Sequence, residues 1–181
     1  MEITETGIKG LIELQPTVFG DSRGFFFESY RESVFKDHGI ETGFVQDNES
    51  FSVKGTLRGL HFQKPPFAQG KLVRVLTGKV LDVVVDIRSS SKTFGQQHKV
   101  ILDAEKHNQM YVPPGFAHGF AALEDSVFSY KCTNYYNKES EGGLLWNDPL
   151  LNLNWGIEKP IISEKDMVLP TFAELKANPP F

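Results

Sequence analysis

Apolar residues come in short bursts along the chain, rich in Val, Ile, Leu, Phe and Tyr, with Gly and Pro spread between them as punctuation. Bursts of that composition read as strands. The densest are 71–76 (KLVRVL) and 80–87 (VLDVVVDI), and the Thr77-Gly78-Lys79 between them reads as a hairpin turn. Further strands are predicted over 24–30, 56–63, 97–102, 108–112, 119–122 and 127–133. Helical spacing is confined to 31–38 (RESVFKDH), stopped by Gly39, and to a weaker stretch over 171–177. Many short strands without a βαβ rhythm imply an all-β sandwich or barrel, and a jelly roll with a few short helices is the expected form. No linker, repeat or compositional shift divides the chain, so residues 1–181 read as a single domain.

Strand periodicity assigns faces. Lys71 lies with Val73 and Val75, Asp82 and Asp86 lie with Val80 and Val84, and Phe128, Tyr130 and Cys132 share one side. In 56–63, strict alternation places His61 opposite Arg58. A bulge at Gly59 would bring both toward one cavity, against that count.

Composition narrows the function. With 40% hydrophobic and 23% charged residues the chain can bury a core. A formal charge of -4, from 19 basic and 23 acidic residues, argues against nucleic acid as a partner. No run is long and apolar enough for a bilayer, and the start, MEITETGIKG, has no secretory pattern. The single cysteine, Cys132, suits a reducing cytoplasm, where the protein is expected to reside.

Pro113-Pro114-Gly115-Phe116-Ala117-His118 resembles the second cupin motif, in which a Pro-Gly turn presents a metal-ligating histidine. The first motif normally supplies two histidines two apart and then a glutamate. Here the segment is Leu60-His61-Phe62-Gln63, and no glutamate follows before Lys71. Two imidazoles and a neutral amide under-ligate a divalent ion, and a nearby ammonium repels it. The reading is a cupin barrel without its metal, a metal-dependent cupin enzyme being the alternative. His38 suits the carboxyl end of its helix, while His98 and His107, beside Lys99 and Lys106, read as solvated.

His61, His118, Lys71 and Tyr130 on inward faces form a set with chemistry of its own. A histidine can take a proton from a carbon beside a carbonyl, a lysine can steady the enolate, and a phenol can return a proton to the other side. Those are the parts of an epimerase, though a non-catalytic sugar-binding cupin has the same residues available. Arg23 and Arg58 could clamp a diphosphate, and Phe26 and Tyr136 could stack on a nucleobase.

Asp21-Ser22-Arg23-Gly24-Phe25-Phe26-Phe27-Glu28, Gln46-Asp47-Asn48 and Leu57-Arg58-Gly59-Leu60-His61-Phe62-Gln63 resemble the dTDP-4-dehydrorhamnose 3,5-epimerase family. Gln69 to Arg74, Val112 to Phe120, Tyr130 to Tyr136, Glu141 to Pro149 and Ser163 to Asp166 continue the match in order. The resemblance implies a cofactor-free, metal-free cupin homodimer that inverts carbons 3 and 5 of dTDP-4-dehydro-6-deoxy-D-glucose on the way to dTDP-L-rhamnose. It implies His61 as base with Asp166 as its partner, Tyr130 as acid, and Lys71 at the ketone oxygen. Arg23, Glu28, Gln46, Asn48, Arg58, His118, Glu141 and Lys165 match positions that bind the nucleotide-sugar, and Tyr136 one that stacks with thymine. Asp82, inward-facing and one strand from Lys71, is expected to orient His118. Related cupins invert one carbon only or act on other deoxysugars, so a single-site epimerase is a second alternative.

Overall fold

The computed structural model describes residues 1–40 and 43–181. Among them the chain forms β1 (Glu2–Glu5), β2 (Ile12–Gln15), β3 (Val18–Asp21), β4 (Gly24–Phe27), α1 (Glu32–Asp37), β5 (Gln46–Ser52) and β6 (Leu57–Gln63). It continues through β7 (Lys71–Thr77), β8 (Lys79–Asp86), β9 (Gln97–Asp103), β10 (Gln109–Val112), β11 (Phe116–Ala122), β12 (Ser126–Cys132) and β13 (Glu141–Gly143). Two short helices end it, α2 (Glu164–Met167) and α3 (Phe172–Ala177). One sheet has the order β1-β2-β10-β7-β12-β5, a second β13-β6-β11-β8-β9, and β3-β4 stands apart as a two-stranded arm. The named strands pair antiparallel throughout. This is the jelly-roll sandwich expected from the strand pattern.

The predicted hairpin at Thr77-Gly78-Lys79 is corrected by this topology. β7 pairs with β10 and β12, whereas β8 pairs with β11 and β9, so the turn carries the chain from one sheet to the other. The sequence signal was a genuine corner: Gly78 has φ +74°, and a Cβ there would strike the carbonyl oxygen of Asp125. A tight turn reads the same whether its strands pair or separate, and the inward apolar faces of both strands favour separation across a core.

Three apolar clusters explain the burial pattern. Val73, Val75, Val80, Val84, Met110, Phe116, Phe120 and Phe128 fill the space between the sheets. Val83, Val85, Ala117 and Ala121 on the outer face of the five-stranded sheet lie under the carboxyl-terminal segment, through Leu144, Leu151, Trp155 and Leu175. β8 is therefore covered on both sides, which is why VLDVVVDI lacks a polar face. Leu72 and Tyr111 on the outer face of the other sheet pack with Phe35 of α1. No helix among the described residues is long and apolar enough to cross a membrane.

Candidate active site

The site opens on β6. His61 pairs with His118 of β11, but Arg58 pairs with Phe120, so three steps on β6 oppose two on β11. The extra residue lies at Gly59-Leu60 and resets the alternation, and both Arg58 and His61 line the same cavity of about 570 Å³. Glycine is required there: Gly59 has φ +114°, and a Cβ would lie 2.7 Å from the Cα of Gly119. The bulge, not the strict alternation, describes this strand.

Asp166 reaches His61 from α2. Ser163 caps that helix, its hydroxyl accepting from the Asp166 N–H at 3.2 Å. His61 Nε2 lies 2.7 Å from Asp166 Oδ1, and the Gly59 N–H donates to Oδ2 at 3.2 Å. Burial of Asp166 by itself would raise its pKa. The hydrogen bond and charge of His61, with the Gly59 and Ser163 bonds, outweigh it and hold the carboxyl below its usual value. An ionised carboxylate only accepts, so His61 Nε2 is the donor in this pair, and in the neutral tautomer the lone pair lies on Nδ1. The side chain of His61 is 32% exposed, that of Asp166 5%.

A second histidine–carboxylate pair lies deeper. His118 Nε2 is 2.9 Å from each oxygen of Asp82, and their side chains are 7% and 0% exposed. Lys71 stands nearby on β7, its Nζ 5.8 Å from the centre of the Tyr130 ring. Desolvation pulls the Lys71 pKa down, while Cys132, Asp82 and Glu141 pull the other way. Tyr130 has its pKa raised, first by burial and then by Cys132, against the opposing influence of Arg58 and a hydrogen bond with Asn48. Both shifts follow from placing polar groups against the apolar inter-sheet core.

His61, Lys71 and Tyr130 also line a second chamber of about 300 Å³, together with Gln46, Asn48, Tyr136 and Glu141. Gln46 donates to Asn48 Oδ1 at 3.0 Å and accepts the Tyr136 N–H at 3.0 Å. Tyr136 donates its hydroxyl to Glu141 at 3.2 Å, and Lys165 pairs with Glu141 at 2.6 Å. Burial would raise the Glu141 pKa, but the Lys165 ammonium and the Tyr136 hydroxyl bring it below its usual value. Arg58 donates from Nε to the buried hydroxyl of Ser52 at 3.0 Å and from Nη2 to the Phe51 carbonyl at 3.1 Å. Ser52 and the cavity-lining Ser50 escaped the sequence reading because QDNESFS has no apolar period. Their signal is the polar alternation Gln46, Asn48, Ser50, Ser52 on one face of β5.

Three expected substrate-binding residues lie outside these chambers. Arg23 sits at the tip of the β3-β4 arm, paired with Asp21 at 2.6 Å and with 88% of its side chain exposed. Phe26 is 70% exposed on the same arm, and Glu28 pairs with Arg31 at 2.7 Å. The arm is fastened by Phe25 and Phe27, whose rings both lie 4.5 Å from His107. His107 is thus ring-packed, and His98 bonds Glu13 at 2.7 Å, so neither is simply solvated as the flanking lysines suggested. Among the described residues no group of three His, Cys, Asp or Glu side chains is placed to hold a metal ion.

Comparison with known proteins decides the family. The family model described as dTDP-4-dehydrorhamnose 3,5-epimerase matches residues 5–174. The chain belongs to that family. A dTDP-4-dehydrorhamnose 3,5-epimerase of Shigella flexneri is 50% identical over 169 residues, covering 92% of this chain and 93% of its own. The crystal structure of the enzyme of that name from Elizabethkingia anophelis NUHP1 superposes with a TM-score of 0.93 at 49% identity, covering 96% and 97% of the two chains. A dTDP-6-deoxy-D-glucose-3,5-epimerase from Legionella pneumophila Philadelphia 1, solved with dTDP-4-keto-L-rhamnose, gives 0.92 at 46% identity, covering 97% and 95%. The protein is therefore an isomerase-class enzyme on a cupin-like sandwich, as the sequence resemblance implied.

Proposed function

We propose that the enzyme inverts carbons 3 and 5 of dTDP-4-dehydro-6-deoxy-D-glucose to give dTDP-4-dehydro-L-rhamnose, in dTDP-L-rhamnose biosynthesis. The carrying observation is the His61–Asp166 pair at 2.7 Å, opening on a cavity that Lys71 and Tyr130 also line. With Nε2–H held by Asp166, Nδ1 of His61 takes the proton from the carbon beside the ketone. The electron pair left behind moves onto the ketone oxygen, where the Lys71 ammonium stabilises it. As the enolate collapses, Tyr130 donates its phenolic proton to the opposite face and the centre is inverted. Burial favours the protonated phenol, which suits an acid.

Arg58 serves the diphosphate, its guanidinium oriented by Ser52 and Phe51. His118, held by Asp82, supplies a fixed polar contact deep in the cavity, and Gln46, Asn48, Tyr136, Glu141 and Lys165 receive the nucleoside. The protein acts as a homodimer. Arg23, Phe26 and Glu28 lie outside the chambers of their own chain, so the exposed β3-β4 arm reaches the partner's site. Incubation with the sugar nucleotide in heavy water tests the reading: deuterium is expected at both carbons. Label at one carbon assigns a single-site epimerase, and label at neither, with binding intact, a non-catalytic module. Tyr130→Phe should retain exchange while slowing inversion, because proton removal and return use different groups.

A further inference from the structure

Gln63 stands where the cupin metal motif has its second histidine, and the proposed chemistry gives it no task. Its side chain is 6% exposed at the end of β6, two residues beyond His61. Nε2 donates to the carbonyl of Phe67 at 2.6 Å and to that of Tyr135 at 3.1 Å, while Oε1 accepts the N–H of Asn137 at 2.8 Å. One carboxamide thus ties together two loops that flank the smaller chamber. The partners fix its orientation, since two carbonyls need the NH₂ group and an N–H needs the oxygen.

Gln46 accepts the N–H of Tyr136 at 3.0 Å, so consecutive backbone groups of residues 135, 136 and 137 are each held by a glutamine amide. Of these three residues Tyr136 lines the chamber, its side chain 57% exposed and its hydroxyl bonded to Glu141. From this geometry we infer that Gln63 is a positioning residue for the nucleobase, acting through Tyr136. A carboxamide is the group the place requires. A glutamate would set an acceptor against two carbonyls, and an imidazole offers at most one donor beside one acceptor. Holding the platform in place before the ligand arrives reduces the ordering cost of binding.

The inference rests on the proposed function in taking a dTDP-sugar as ligand, and dTDP alone is the probe. Gln63→Glu should weaken dTDP binding, and raise KM for the nucleotide-sugar, by about tenfold, with kcat within about twofold of wild type. In a Tyr136→Ala background the same change should cost less than about twofold, because the ring through which Gln63 acts is gone. If Gln63→Glu fails to fold, Gln63→Met, of similar length without the hydrogen bonds, is read through the same cycle. Unchanged dTDP affinity, an undiminished tenfold loss in the Tyr136→Ala background, or a fall in kcat at constant KM would each overturn the inference. A wild-type protein that ignores dTDP sinks the functional reading and this inference together. A wild-type protein that binds it, with an indifferent Gln63→Glu, sinks this inference alone.

Discussion

Two histidine–carboxylate pairs serve one cavity, and they are built differently. His61–Asp166 joins a strand to a four-residue helix at the mouth, with a third of the imidazole exposed. His118–Asp82 joins adjacent strands of one sheet, Asp82 lying across from Phe120 in register, and both side chains are buried. The mouth pair is held by one short contact through the imidazole Nε2. The deep pair has a carboxylate gripping Nε2 with both oxygens and little access to water. On the proposed function, the same residue types give a proton-transfer group in one place and a fixed contact in the other. Burial and mounting, not composition, separate them.

That contrast can be broken by experiment. The largest effect is expected from His61→Ala, which should slow deuterium exchange at both carbons by about a thousandfold while leaving dTDP affinity nearly unchanged. Wild-type exchange in that variant would remove the base assignment. A smaller effect separates the carboxylates. Asp166→Asn should lose rate with less than about 1 kcal/mol of stability. Asp82→Asn should lose rate by less than His61→Ala does, and also about 1–3 kcal/mol of stability, because a buried imidazole is left with a weaker partner. Equal stability losses in thermal denaturation would show that the two mountings do not differ.

The smallest effect lies in acid. The Asp166 pKa is held below its unfolded value, so its contribution is present above about pH 4 and is lost as pH falls through the folded value. Asp86 behaves likewise. Burial opposes ionisation there, but bonds from Arg88, Ser91 and Thr93 bring its pKa to about 2. Removing Asp166 should therefore flatten the stability profile only below about pH 4, leaving the Asp86 contribution between about pH 4 and 2 in place. A profile unchanged by Asp166→Asn would show that the mouth pair adds nothing to stability.

The deep pair was legible in the sequence and the mouth pair was not, for a physical reason. Strand periodicity placed Asp82 inward beside Val80 and Val84, and the Pro-Gly turn placed His118. Asp166 is far from His61 in the chain, and only the family resemblance paired them. The local sign was Ser163 three residues ahead, a helix cap too short to show a helical period. β5 was missed because an edge strand facing a polar cavity on one side and solvent on the other has no apolar alternation. β1 and β3 are short and largely exposed, with the same result. Gln63 looked like a damaged metal ligand because the backbone groups it serves come from loops that no strand pattern predicts.

The glycine at the bulge limits how this enzyme can be altered. Gly59 and Gly119 face each other so closely that a methyl group on either meets backbone, that of Gly119 lying 2.6 Å from the carbonyl of Arg58. No side chain larger than hydrogen fits at this crossing, and it fixes the spacing between the arginine and the imidazole. Variants with a new sugar preference are therefore expected from the other lining positions, such as those on the edge strand and rim loops, while the crossing tolerates no drift.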